Sequence, residues 1–202
     1  MIKYILAALV LGCVAGYVNN NVFNVMPNAA ISDTLFTVTL IALLFVFGFS
    51  FAQDKATLQK MQKTGWRIVV FPLLVALGSL VGGLIAGVVL QINLGGAMAV
   101  SSGYGWYTLS GPMIGQLMGT KWGTLGFAAN FLRELITIVS IPLIVKLDKY
   151  APVASGGGTT MDTTLGVIVK YCGKDTLMIA FANGLILSIM APFATVALSA
   201  LS

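Results

Sequence analysis

The chain contains no histidine, only two cysteines, and charged residues at just 8% of its 202 positions. Without histidine the commonest general base and metal ligand is gone. Neither Cys13 nor Cys172 belongs to a CxxC pair, which weakens both metal coordination and Cys-His catalysis and leaves two buried small residues as the better reading. Serine-based hydrolysis wants a histidine or lysine beside its nucleophile, and no complete constellation of that kind can be assembled. The chain therefore reads as a non-enzyme with no metal and no cofactor. Strands alternating every second residue are missing too, which argues against a membrane barrel. The scarcity of charge excludes a soluble globule of this size, whose surface must be wetted.

What is present is apolar: 58% of residues are hydrophobic, with a mean hydropathy of +0.97. Five segments read as ordinary membrane spans: Tyr4 to Val18, Thr34 to Phe51, Ile68 to Leu90, Trp122 to Val145, and a last helix from about Leu177. "VLGC" imitates a lipoprotein cleavage site, but the apolar run continues to Val18, so an uncleaved first helix is expected. Ser32 or Asp33 can cap the second span, and Pro72 sits near the start of the third, where a lost hydrogen bond is tolerated. Among the 23 glycines, Gly78, Gly82, Gly83 and Gly87 share one span. Gly111, Gly115, Gly119 and Gly123 form a ladder at four-residue spacing, the pattern of close helix packing.

The formal charge of +5 follows topology rather than forming a nucleic-acid patch. Lys55, Lys60, Lys63 and Arg67 crowd the linker 53–67, which the positive-inside rule places in the cytoplasm. If every hydrophobic unit crosses once, Lys3, Lys121, Lys170 and Lys174 fall on the same side. That leaves Lys146 and Lys149 outside and Arg133 in the membrane.

Two further segments are long enough to span but are written differently. Residues 97–119 are laced with Ser101, Ser102, Gly103, Gly105, Ser110, Gly111 and Pro112, and 151–172 carry Gly156, Gly157 and Gly158 ahead of Asp162. Freed backbone groups cannot face lipid, so these broken segments belong inside protein or along a watery cavity. The expected fold is all-α: a polytopic transmembrane bundle of about seven membrane segments, two of them discontinuous. It forms a single integral membrane domain over 1–202, with three spans and a basic linker in 1–96 and a transport core in 97–202. No internal repeat stands out.

Between the broken segments lies "NFLRELITIVS", residues 130–140. Asn130, Arg133, Glu134 and Thr137 share one helical face, a polar stripe. An ionised group at the bilayer centre costs from about 2.5 kcal/mol upwards, so the stripe must meet a cavity or partners, either as an internal Arg-Glu pair or as a site. Asp162 is the second intramembrane carboxylate. It sits among Thr159, Thr160, Thr163 and Thr164, either as a helix cap or as part of a site for a small polar ligand. Tyr104, Trp106 and Tyr107 offer an aromatic wall for a cation or an interfacial belt. Two carboxylates, hydroxyls and aromatics without a phosphate loop describe a site for a small cation or zwitterion. The candidates are Glu134, Asp162, Arg133, Asn130, Thr159, Thr160, Ser101, Ser102, Tyr104 and Trp106.

The stretches "SSGYGWYTLSGP" (101–112), "NFLREL" (130–135) and "GGTTMDTTL" (157–165) together resemble the LysO-type lysine exporter family of prokaryotic membrane proteins. The resemblance covers essentially the whole chain, which corresponds to roughly the C-terminal two thirds of a full-length member. It implies export of L-lysine and toxic lysine analogues across the cytoplasmic membrane, and kinship with cation/proton antiporters and bile-acid transporters built on broken, crossing helices. It also implies roles for Glu134 and Asp162 at the substrate ammonium groups or a coupling proton, and for Arg133 at the substrate carboxylate or beside Glu134. Some relatives are split into small and large subunits, so a small membrane partner or a homo-oligomer is expected. The rival readings are a monovalent cation/proton antiporter using the same acids and a non-transporting scaffold subunit.

Overall fold

The computed structural model describes residues 65–201 continuously, together with scattered positions between 11 and 49. The chain divides into two compact units, 1–54 and 55–202. The described positions of the first unit are helical, and Phe45 and Phe49 stack one turn apart with ring centroids separated by 6.1 Å. The expected spans Tyr4 to Val18 and Thr34 to Phe51, the cap at Ser32 or Asp33, Cys13, and linker 53–67 up to residue 64 fall wholly or mostly outside the described residues.

Among the described residues of the second unit no strand occurs. Three long helices carry it: α1 (Arg67–Val89), α4 (Thr120–Ile144) and α7 (Leu177–Ser199). All three are long and apolar enough to cross a membrane. The 23 residues of α1 extend about 34 Å, enough for a hydrocarbon core of about 30 Å. Polarity is inverted relative to a soluble protein. Ser110, Asn130, Glu134, Thr137, Thr160, Asn183 and Thr195 are buried, while Leu74, Leu77, Val81, Ile85 and Val139 are exposed. Hydrocarbon is the solvent that makes this ordering favourable, because there polar groups need internal partners.

Both broken segments appear, and neither crosses. In the first, α2 (Leu94–Ser101) descends beside the end of α1, residues 102–106 turn, and α3 (Tyr107–Met118) comes back. The same end receives both arms: Leu94 approaches Gly87 of α1, and the Trp122 ring at the start of α4 fills the space beside Gly96. The second hairpin consists of α5 (Ala151–Gly156), a 3-10 turn Gly157–Met161 and α6 (Leu165–Cys172). Its arms both open at the opposite end, where Lys149 hydrogen-bonds Asp175 and the ring of Tyr150 meets Phe71 near the start of α1. Lys149 holds the exposed Asp175 carboxyl below its usual range by that hydrogen bond.

This geometry corrects the count of crossings and the charge assignment. Lys146, Lys149 and Lys174 gather at the end where α1 begins, directly after the basic stretch, and Lys121 lies at the other. The alternating count failed because it assumed that every hydrophobic unit crosses.

An internal repeat emerges with the hairpins. Hairpin α2–α3 followed by α4 and hairpin α5–α6 followed by α7 are the same arrangement run from opposite ends. "VSSGYG" at 100–105 matches "VASGGG" at 153–158, and Asn130 matches Asn183, each 53 positions further along. Asn130 Nδ2 donates to Val100 O and Asn183 Nδ2 to Val153 O, the equivalent carbonyl. Each return arm ends on a glycine in nearly the same left-handed conformation, Gly119 (φ 91°, ψ 164°) and Gly173 (φ 95°, ψ 160°). Each hairpin also reaches the long helix of the other repeat: Ser102 hydrogen-bonds Thr195 of α7, and the equivalent Ser155 hydrogen-bonds Thr137 of α4.

The glycine ladder packs α3 against α4. A Cβ on Gly123 would stand 2.6 Å from Gly115 Cα and 2.9 Å from Gly111 O, and one on Gly111 would stand 2.8 Å from Phe127 Cβ. Gly82 of α1 has open space, with no neighbour among the described residues within 4 Å of such an atom. Gly123→Leu is therefore expected to cost about 1–3 kcal/mol or more, because backbone cannot yield. Gly82→Leu should stay within about 0.5 kcal/mol of the native protein. Thermal unfolding in detergent measures both, and equal transitions would refute the packing role.

Candidate functional site

The two hairpins meet tip to tip beside the middle of α4. Tyr104 (φ 49°) and Gly105 (φ 101°) turn the first tip, and Gly157 (φ 62°) turns the second. Gly158 N donates to Tyr104 O at 2.7 Å, and a Cβ on Gly105 would come within 3.2 Å of Gly156 O. Only glycine permits backbone to approach backbone this closely. Asn130 braces the crossing: its Oδ1 accepts from Gly105 N at 2.7 Å, and its Nδ2 donates to Val100 O and Gly126 O.

Arg133 and Glu134 do not pair. Neighbours on a helix point about 100° apart, and here they serve different half-helices. Arg133 donates from Nε to Ser155 O (2.8 Å), from Nη2 to Ala154 O (3.0 Å) and from Nη1 to Ser79 Oγ (2.8 Å). Its guanidinium thus closes the C-terminal end of α5, where unpaired carbonyls carry partial negative charge. Among the described residues, the ion pair within 4 Å is Lys149–Asp175, not one inside the bundle.

Glu134 turns instead into a cavity of about 110 Å³ with Asp162, Thr159, Ser188, Trp106 and Thr108 among its walls. Tyr107, the first residue of α3, lines the same cavity. One carboxylate oxygen of Glu134, Oε2, is buried and has no hydrogen-bond partner among the described residues. Burying a carboxylate oxygen without a protein partner is costly. Asp162 lies at the exposed mouth, where its Oδ1 accepts from Thr163 N and, at 3.2 Å, from Thr163 Oγ1. It does not cap α6, whose N-cap position is taken by Thr164.

The cavity brings together Glu134, Asp162, Thr159 and Trp106 from the sequence-based candidates. The remaining candidates stand elsewhere. Tyr104 is not a wall: its ring is buried against Val75, Ala76, Leu187 and Ala191, because the turn it occupies points it into the core. Ser101 and Ser102 bond back to Met98 O and Ala99 O, relieving the carbonyls at the end of α2. Thr160 Oγ lies within reach of Gly157 O and Ala180 O, and Asn130 supports the crossing from behind. Arg133 borders a separate apolar groove of about 530 Å³ with Phe71, Leu74 and Ser79. The larger space has no carboxylate, so the smaller, polar cavity is where cation chemistry can occur.

Sequence reasoning missed Ser188, a single hydroxyl in an apolar run with no local signal to mark it. It also left Asn183 without a role, although its spacing of 53 residues from Asn130 matches that of the two glycine turns.

Comparison with known proteins places these features. The family model for the lysine exporter LysO matches residues 6–199. The lysine exporter LysO of Escherichia coli (strain K12) is 34% identical over 154 residues, covering 76% of this chain and 51% of that protein. A curated relative from Haemophilus influenzae is 27% identical over 190 residues, covering 93% of each. The chain thus spans about half the length of the Escherichia coli relative it matches. No solved structure matches it.

Proposed function

This chain belongs to the lysine exporter LysO family, and on that premise we propose that it carries L-lysine out of the cytoplasm by proton-coupled alternating access. The observation that carries this reading is the buried Glu134 carboxylate on the wall of a cavity shared with Asp162. A lysine ammonium meets that carboxylate in one half of the cycle and a proton does so in the other. No cofactor is needed, because two carboxylates that trade a cation for a proton already couple the two movements. The cavity is well below the roughly 300–1,000 Å³ of a drug-sized ligand site, so it seats an ammonium group rather than an entire extended lysine.

The basic end bearing Arg67, Lys146, Lys149 and Lys174 faces the cytoplasm of a prokaryotic inner membrane. The transport core is 97–202, and toxic lysine analogues with the same ammonium share the route. A small membrane subunit, or a second copy of the chain, completes the assembly.

The small volume is also the observation that favours a monovalent cation/proton antiporter. Efflux of labelled lysine from preloaded cells separates the readings, with the chain expressed alone and with a small membrane subunit. Export above that of cells lacking the chain is expected. Sodium-dependent proton movement without any lysine efflux would transfer the site to ion antiport.

A further inference from the structure

We propose that Asn183 is one half of a hydrogen-bond exchange at the hairpin crossing, and that its Oδ1 receives the Gly158 N–H when the carrier faces the other way. The inference rests on the alternating-access reading above. It starts from one place where the two inverted repeats differ.

In the first repeat Asn130 Oδ1 is occupied by Gly105 N. In the second, the corresponding Asn183 Oδ1 is fully buried and has no partner, because Gly158 N, the counterpart of Gly105 N, goes across to Tyr104 O instead. The orientation of the Asn183 amide is set by its other contacts. Its nitrogen faces Val153 O at 3.3 Å and Gly157 O at 3.0 Å, both acceptors. The oxygen is thus held in a buried place with nothing to accept, a costly arrangement unless another state uses it.

Inverted repeats allow that state to be written down, since exchanging the conformations of the two repeats turns the carrier over. Gly158 N then moves from Tyr104 O to Asn183 Oδ1. Gly105 N moves from Asn130 Oδ1 to Gly157 O, the counterpart of Tyr104 O. Asn183 Nδ2 tightens on Val153 O, as Asn130 Nδ2 already holds Val100 O at 2.9 Å, and releases Gly157 O to receive its new donor. Each state has one asparagine oxygen filled, one empty, and one backbone bond across the crossing. The number of hydrogen bonds traded at the crossing is the same, which lets both facings be populated.

The exchange also states which residues trade exposure. Thr163 is exposed at the cavity mouth, and its counterpart 53 positions earlier, Ser110, is fully buried. In the other facing their positions reverse.

The test uses the full chain in membrane vesicles of both orientations, with Cys13 and Cys172 replaced and a single cysteine introduced as Thr163→Cys or Ser110→Cys. An impermeant maleimide is expected to label Thr163→Cys from one face and Ser110→Cys from the other. Asn183→Ala should lower Ser110→Cys labelling at least about fivefold and raise that of Thr163→Cys, and Asn130→Ala should do the reverse. A merely structural asparagine would move both reporters in the same direction, and that result overturns the exchange. So does a transporting chain in which Ser110→Cys is labelled from neither face, a comparison that needs no asparagine variant and decides the matter if Asn183→Ala does not reach the membrane. Lysine efflux is followed in the same vesicles. Reciprocal labelling without lysine efflux supports the exchange and refutes lysine as cargo, whereas efflux with non-reciprocal labelling refutes the exchange alone.

Discussion

Glu134→Gln is expected to cut lysine efflux to between about a tenth and a hundredth of the native rate while leaving the protein at least as stable. The first half follows from the loss of a charged acceptor. A hydrogen bond to an ionised group contributes about 1.5–3 kcal/mol, and each 1.4 kcal/mol is a factor of ten. The second half follows from burial: the native carboxylate is buried, and a neutral amide of the same shape carries no charge to desolvate. Asp162→Asn should have the smaller effect on efflux, since that carboxylate stands at the exposed mouth and is already bonded by Thr163. Efflux from preloaded cells, with protein level and unfolding temperature measured alongside, checks both parts. Native efflux from the Glu134→Gln variant would remove Glu134 from the transport site.

Arg133→Met should do the opposite and fail on stability. Three acceptors lose their donor at once, namely Ala154 O, Ser155 O and Ser79 Oγ, and two of them are carbonyls at the end of a half-helix away from water. At about 1–3 kcal/mol for each orphaned group, the loss is about 3 kcal/mol or more. At roughly 2–4 °C per kcal/mol for a chain of this size, the unfolding temperature falls by about 6–12 °C or more. Arg133→Lys keeps the charge but not the planar fork that reaches two carbonyls and a hydroxyl together, so it should recover only part of the loss. An Arg133→Met protein that unfolds at the native temperature yet no longer exports lysine would show that the guanidinium meets the substrate rather than closing α5.

These two variants separate residues that are adjacent in sequence, and the contrast shows how far the sequence could be read. The stripe Asn130, Glu134, Thr137 is buried as its spacing requires, because positions three and four apart on a helix share a face. Arg133 belongs to the same arc, yet it is drawn to its edge by carbonyls more than twenty residues away. The breaks at 102–106 and 157–164 were legible from glycine and hydroxyl content, since lipid tolerates no unpaired backbone. That both segments turn back was not legible, because length and hydropathy are the same for a hairpin and a crossing. The internal repeat was written in only six residues and one asparagine, too little to be noticed without the hydrogen bonds that Asn130 and Asn183 make.

By itself the sequence determined the solvent of this protein, the positions of the three long helices among the described residues, the places where the chain breaks, and the polar stripe that had to be buried. Those properties are local: each depends on composition or on spacing within a few turns. The tertiary structure alone decided the end at which each hairpin opens, the separation of Arg133 from Glu134, and the gathering of Glu134, Asp162 and Ser188 around one cavity. Each of those depends on contacts between segments tens of residues apart, and nothing in a local period encodes the direction from which a distant partner arrives.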